Sequence, residues 1–227
     1  MSSVDIAVVA NAEEAARLVA ERLAEQARAG GSIVLTGGST PRHAYELAAR
    51  LAPDWSRTEL WWGDERCVPP ADESSNYGMA KRALLDRLER EPAAVHRMHG
   101  ELGRDAGAEE YERELAGVGA FDLVLLGLGP DGHIASLFPG FPTLDVTDRN
   151  AIGSEAGHEP FVDRISLTLP RLCATRELLF LVAGEAKADA VARAFAGEPS
   201  QETPGSLARA TGGTTRAVLD RAAASKL

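Results

Sequence analysis

An α/β fold is what this sequence predicts: a single Rossmann-like domain over residues 1–227, three layers deep (α/β/α), with a mostly parallel central sheet. Three observations carry the prediction. Short apolar runs alternate with amphipathic segments along nearly the whole chain. Several of those runs end in Gly-rich turns that open a helix. The length of 227 residues, 44% hydrophobic and 26% charged, fits one domain with a full core.

The elements follow in order. Residues 5–10 form a strand, and residues 13–29 a helix that puts Ala16, Val19, Ala20, Leu23 and Ala27 on one face. Gly30-Gly31 ends it. Residues 32–36 form a second strand, and a helix runs from Pro41 to Leu51 with Thr40 at its N-cap. Residues 59–63 are a third strand. Ser74 or Ser75 caps a helix that reaches Leu88, and residues 104–115 are helical. Residues 121–126, Phe-Asp-Leu-Val-Leu-Leu, are a buried strand. Residues 139–157 are rich in turn formers and read as a long loop, a candidate lid. Residues 164–169 and 177–183 are later strands, 185–195 are helical, 199–215 are looser, and 218–224 close the chain.

The formal net charge of −10 argues against nucleic acid as a partner. No apolar run approaches the roughly 20 residues of a membrane span, and Met1-Ser-Ser-Val-Asp5 has no secretion-signal pattern. Cys67 and Cys173 form no Cys-x-x-Cys pair, so the expectation is a reduced, cytoplasmic protein without a zinc or redox motif. An acidic protein that binds a phosphorylated small molecule must gather cations locally; Arg42, Arg66, Arg164 and Lys187 lie in or beside the motifs below.

Gly127-Leu-Gly129-Pro-Asp131-Gly-His133-Ile-Ala-Ser-Leu-Phe-Pro139 directly follows the 121–126 strand. The turn therefore falls at the strand's C-terminal end, where open α/β sheets bind ligands. Asp131 and His133 place a carboxylate beside an imidazole that exchanges protons near neutral pH. Thr36-Gly37-Gly38-Ser39-Thr40-Pro41-Arg42 has the make-up of an anion site, with backbone N–H groups, hydroxyls and a helix dipole, and equally that of an ordinary capped turn. Asp64-Glu-Arg66-Cys-Val-Pro69, with Ser74-Ser-Asn76-Tyr77 downstream, follows the third strand. Alternation would aim Asp64 and Arg66 at one pocket; a solvated charged loop is the plainer reading. His43, His96, His99 and His158 belong to no such constellation, and His96 and His99 lack a ligand partner at helical spacing. Trp61 and Trp62 read as core packing.

Together these segments resemble the 6-phosphogluconolactonases, within the wider glucosamine-6-phosphate deaminase and isomerase superfamily. Arg164-Ile-Ser-Leu-Thr-Leu-Pro170 and Gly184-Glu-Ala-Lys187 are similar to two further elements of that family, and the likeness spans most of the chain. It departs at Thr215-Arg-Ala-Val-Leu219, where relatives often carry an aromatic residue. The resemblance implies an enzyme that hydrolyses 6-phospho-D-glucono-1,5-lactone to 6-phospho-D-gluconate, a step of the oxidative pentose phosphate pathway. It implies His133 as general base, with Asp131 either holding the loop or orienting the imidazole. It places Gly37, Gly38, Ser39, Thr40, Asp64, Arg66, Gly129, Arg164 and Lys187 around the sugar phosphate, with Asn76 fixing the loop. Neither a cofactor nor a metal is required, and the partner is the substrate alone, with the chain a monomer or weak homo-oligomer.

Three rivals differ at identifiable positions. The related deaminases carry an acidic residue five positions after the His, where this chain has Phe138. A non-catalytic sugar-phosphate sensor would come joined to a DNA-binding segment, and neither a helix-turn-helix nor a basic patch is visible. A dinucleotide enzyme would need a Gly-rich turn after the first strand, which here is Asn11-Ala-Glu-Glu.

Overall fold

The computed structural model describes residues 3–157 and 159–227. The elements in chain order are β1 (Val4–Val9), α1 (Ala12–Ala29), β2 (Gly31–Leu35), α2 (Ser39–Leu51), β3 (Thr58–Trp62), β4 (Asp64–Arg66), α3 (Asn76–Ala83) and β5 (Ala94–His96). They continue with α4 (Arg104–Glu114), β6 (Phe121–Leu126), β7 (Ala151–Ser154), β8 (Arg164–Leu167), α5 (Leu169–Cys173), β9 (Thr175–Val182), α6 (Ala188–Phe195) and β10 (Thr214–Asp220).

Seven strands form one sheet in the order β1-β10-β9-β6-β2-β3-β5, and every neighbouring pair in it is parallel. Parallel strands covered on both faces bury both sets of side chains, which is why Leu-Val-Leu-Leu in β6 and Ile-Val-Leu in β2 are continuous apolar runs. One core cluster unites the sheet with α1, α2, α6 and the three tryptophans; Trp61 and Trp62 are buried in it. The helix ends follow local chemistry. Asn11 accepts from the Glu14 N–H to cap α1, and Gly30 ends that helix at φ 87°.

Five expectations need correction. Residues 164–167 do not join the main sheet. They form the middle of a separate antiparallel sheet, β4-β8-β7, whose strands are too short to show periodicity. Its third strand, β7, lies inside the stretch read as a long loop. Thr40 is not the N-cap of α2: the helix starts at Ser39 with Gly38 in the cap position, and the Pro41 ring sits at the third helical position, still within the first turn. The helix capped by Ser75 stops at Ala83, where Leu85–Arg87 tightens into a 3-10 turn. Residues 214–220, split between a loose segment and a terminal one in the sequence reading, are a single strand with Ala217 and Leu219 fully buried.

Tyr45 ties α2 to the end of β2. Its fully buried hydroxyl accepts from the Thr36 N–H at 2.9 Å and donates to the Thr36 carbonyl at 2.8 Å. Burial holds this phenol neutral by raising its pKa far above the usual value. Tyr45→Phe strands both backbone groups of Thr36, so the expected loss is about 1–3 kcal/mol, read as a lower urea midpoint at unchanged m-value. An unchanged midpoint would show that water takes over the hydroxyl's role.

Candidate active site

Chain progression reverses between β2 and β6. From β2 it runs outward through β3 to β5, then returns on the other side of β2 through β6 and β9. Such a reversal parts the loops at the C-terminal strand ends and leaves a crevice. A cavity of about 260 Å³ lies there. It is lined by Gly37, Gly38, Ser39, Thr40, Asp64, Arg66, Gly129, His133, Arg164 and Lys187, which the fold gathers from the ends of β2, β3, β6 and β9 and from the antiparallel sheet.

Asp131 stands behind His133. Its Oδ1 lies 2.6 Å from the imidazole Nδ1 and accepts from the His133 N–H at 3.1 Å. The turn is closed by Gly129 N–H donating to the His133 carbonyl at 2.8 Å and Gly132 N–H donating to the Gly129 carbonyl at 2.9 Å. Gly129 has no substitute here: a Cβ on it would sit 2.0 Å from His133 Nδ1 and 2.5 Å from Asp131 Oδ1. Phe138 is buried with its ring centroid 4.9 Å from that of His133, and it packs onward against Phe141 at 5.4 Å.

Asp64 is 6% exposed and held by both oxygens. Ser136 Oγ donates to Oδ2 at 2.7 Å and Asn76 Nδ2 to Oδ1 at 3.0 Å, while the same Nδ2 reaches the Asp64 carbonyl at 2.9 Å. Asn76 Oδ1 and Arg66 Nε are buried without a hydrogen-bond partner among the described residues, and both side chains line the cavity. Buried polar atoms left this way call for a ligand or water.

The antiparallel register sets Arg66 directly opposite Arg164. Like charges at such a position repel, so the pair favours an anion between or beside the guanidinium groups. Arg164 is 4% exposed; it donates from Nε to the Val162 carbonyl and from Nη2 to the Pro160 carbonyl, each at 3.0 Å. Burial, and then the charge on Arg66, pull its pKa below the usual value. Lys187 ends the 3-10 turn that follows β9. Burial lowers its pKa too, partly offset by Asp131. Asp220 anchors that turn by accepting from the Gly184 N–H at 3.0 Å, which gives the Asp220-Arg-Ala-Ala segment a structural purpose. Burial pushes the neighbouring Cys67 thiol up to about 11, so it stays protonated at neutral pH.

Some residues fall elsewhere. Arg42 points away from the crevice into a small separate cavity shared with Arg82 and Arg87. His43 lies 3.7 Å from Glu46 on α2, and His158 lies outside the described residues. The sequence reading passed over Glu65, which is 2% exposed. It accepts from the N–H groups of Arg66, Asn76 and Tyr77 and from Ser75 Oγ, tying β4 to the start of α3. Burial raises its pKa against the pull of those four donors. The only sequence signal was a carboxylate beside Asp64 and a Ser-Asn helix start downstream.

The model of glucosamine-6-phosphate isomerases/6-phosphogluconolactonase matches residues 7–217. The chain belongs to this family. Its relatives there include a 6-phosphogluconolactonase of Streptomyces coelicolor, 44% identical over 94% of this chain and 88% of the relative. Among solved structures, 6-phosphogluconolactonase from Trypanosoma cruzi superposes with a TM-score of 0.89 at 26% identity, covering 100% of this chain and 98% of the other. A monomeric glucosamine-6-phosphate deaminase superposes nearly as well, at 0.86 with 20% identity, covering 99% and 100%. Proteins whose names give different activities thus share this fold, and the side chains at the crevice have to separate them. No helix among the described residues is long and apolar enough to cross a membrane.

Proposed function

We propose that this chain hydrolyses 6-phospho-D-glucono-1,5-lactone to 6-phospho-D-gluconate. The observation that carries the reading is the carboxylate–imidazole pair, with Asp131 Oδ1 2.6 Å from His133 Nδ1, in a crevice that also holds Arg66, Arg164 and Lys187. The high identity to a curated lactonase supports the same activity.

Asp131 accepts the Nδ1 proton and leaves Nε2 as the basic nitrogen of His133. Nε2 takes a proton from water as the water oxygen bonds to the lactone carbonyl carbon. The carbonyl electrons move to its oxygen, and the cations of the crevice stabilise that tetrahedral oxyanion. Collapse breaks the bond from C1 to the ring oxygen, which receives the proton from His133 and leaves as a hydroxyl. The product acid ionises at neutral pH. The Gly129 and Gly132 N–H groups are spent within their own turn, so Arg66, with its partnerless Nε, is assigned to the oxyanion. The phosphate sits at the N-terminus of α2, on the 37–40 backbone and hydroxyls, with Lys187 and Arg164 beside it. Bound there, it supplies energy and places C1 against the water.

Phe138 separates this chemistry from deamination. Moving a proton between carbons needs another acid–base group, and an apolar ring against His133 excludes one from that face. The test is a coupled assay on freshly generated lactone, with spontaneous hydrolysis subtracted, run beside an ammonia assay on glucosamine 6-phosphate. Lactone turnover without ammonia release is expected. Ammonia release at a comparable rate would overturn the reading.

A further inference from the structure

Glu65 is a buried carboxylate that no step of the hydrolysis uses. It stands on β4, 2% exposed, between two residues that line the crevice, Asp64 and Arg66. Oε1 accepts from the Arg66 N–H and from the Asn76 N–H, each at 2.7 Å. Oε2 accepts from the Tyr77 N–H at 2.8 Å and from Ser75 Oγ at 3.0 Å. We propose that Glu65 is the positioning residue for Arg66, holding that guanidinium where the oxyanion of the lactone develops. The role rests on the reading of Arg66 as the oxyanion donor of a lactonase.

Arg66 needs holding because its neighbour repels it. The register of β4 and β8 sets it opposite Arg164, and like charges so placed push apart. Against that push, Arg66 donates from Nη1 to the Ser74 carbonyl. The carbonyl belongs to the segment that leads into α3, and Glu65 grips that segment at the next three residues, Ser75, Asn76 and Tyr77. The same carboxylate grips the Arg66 backbone. Both ends of the Arg66 side chain are therefore referred to one buried group. A donor fixed in this way before the reaction stabilises developing charge without reorganising at the moment of transfer.

Helix capping accounts for only part of this arrangement. The first N–H groups of α3 lack partners within the helix, and Glu65 serves those of Asn76 and Tyr77 while Ser75 Oγ serves that of Gly78 at 2.9 Å. The Arg66 N–H belongs to β4, and no cap needs it. Charge adds a second link to the cations of the crevice. Burial and the charge on Arg66 lower the Arg164 pKa, and Glu65 is among the groups that hold it up. A buried anion behind two facing guanidinium groups offsets the repulsion between them until a substrate arrives.

The experiment measures kcat and KM for the wild type, Glu65→Gln, Arg66→Ala and the double variant, on 6-phosphogluconolactone and on gluconolactone lacking the phosphate. Arg66→Ala removes one oxyanion donor, which costs about 10²–10³ in kcat. Glu65→Gln turns an NH₂ group on donors that need an acceptor, and kcat is expected to fall about 10–100-fold on both lactones. KM should stay within about threefold on each, since the lost interaction is made only in the transition state. The double variant should be within about twofold of Arg66→Ala, because a residue that acts through Arg66 then has nothing left to act on. Glu65→Asp keeps the charge one methylene short; its smaller loss supplies the same cycle where the amide variant does not fold. Wild-type kcat in folded Glu65→Gln, losses that multiply in the double variant, or a loss carried by KM for the phosphorylated lactone would each overturn the role and leave the lactonase reading standing. Unchanged kcat in Arg66→Ala would remove Arg66 from the oxyanion, and Glu65 with it. A wild type inert on both lactones would overturn the lactonase reading itself and the role that depends on it.

Discussion

His133→Ala is expected to cut the enzymatic turnover of 6-phosphogluconolactone by about 10²–10⁴ while the protein stays folded. That range corresponds to about 2.7–5.4 kcal/mol of lost transition-state stabilisation. The imidazole is partly exposed at the crevice wall, so truncating it opens no core cavity and the thermal midpoint should barely move. Asp131→Asn should fall between the wild type and His133→Ala. The amide offers Nδ1 a poorer acceptor and permits the wrong tautomer, yet a base remains. The informative comparison is kcat after the uncatalysed rate is subtracted, because the lactone also opens unaided. A folded His133→Ala protein with near-normal kcat would remove this residue from the mechanism.

Lys187→Ala is expected to lower kcat/KM for the phosphorylated lactone by about 10²–10³, chiefly through KM. Truncating one partner of a desolvated charge pair costs roughly 2–5 kcal/mol, and burial already depresses this ammonium's pKa, as a poorly hydrated cation requires. Hydrolysis of gluconolactone lacking the phosphate should be nearly unchanged by the same substitution, since the lost contact is one it never made. That second substrate separates two roles. Equal losses on both lactones would place Lys187 at the reacting carbon, and a loss confined to the phosphorylated one places it at the phosphate.

Much of this was legible in the sequence because its causes are local. A buried strand followed by Gly-x-Gly-x-x-Gly can only deliver its turn to one edge of a parallel sheet, and that fixed where Asp131 and His133 stand. Pro41 marked the start of α2, although the cap itself is Gly38, two positions before the threonine expected there. What stayed hidden depends on chain segments far apart. The three residues of β4 gain their meaning from β8, a hundred positions later, and no period can show in so short a strand. The facing of Arg66 and Arg164 is a fact of register alone. Arg42 shows the reverse: it borders the right motif, but its side chain lines another cavity. Glu65 was passed over because it acquires its partners, the 66, 76 and 77 N–H groups and the Ser75 hydroxyl, only when β4 and α3 pack together.

The position of β10 carries a kinetic consequence. It lies between β1 and β9, pairing Val4 with Thr215 on one side and Glu177 with Thr214 on the other. The strand nearest the end of the described chain is thus an interior strand, and β1 has no other partner in the sheet. As the chain emerges from the ribosome, β1 waits for nearly every other element before it can pair, and β9 presents an open edge until then. Pairings of such high sequence separation slow the search for the native state and expose unpaired strand edges meanwhile. The switch-point strands β6-β2-β3 pair with one another without β10, whereas the turn that brings Lys187 into the crevice waits for Asp220 at the end of β10. Chains stalled before β10 should accordingly bind chaperones rather than substrate.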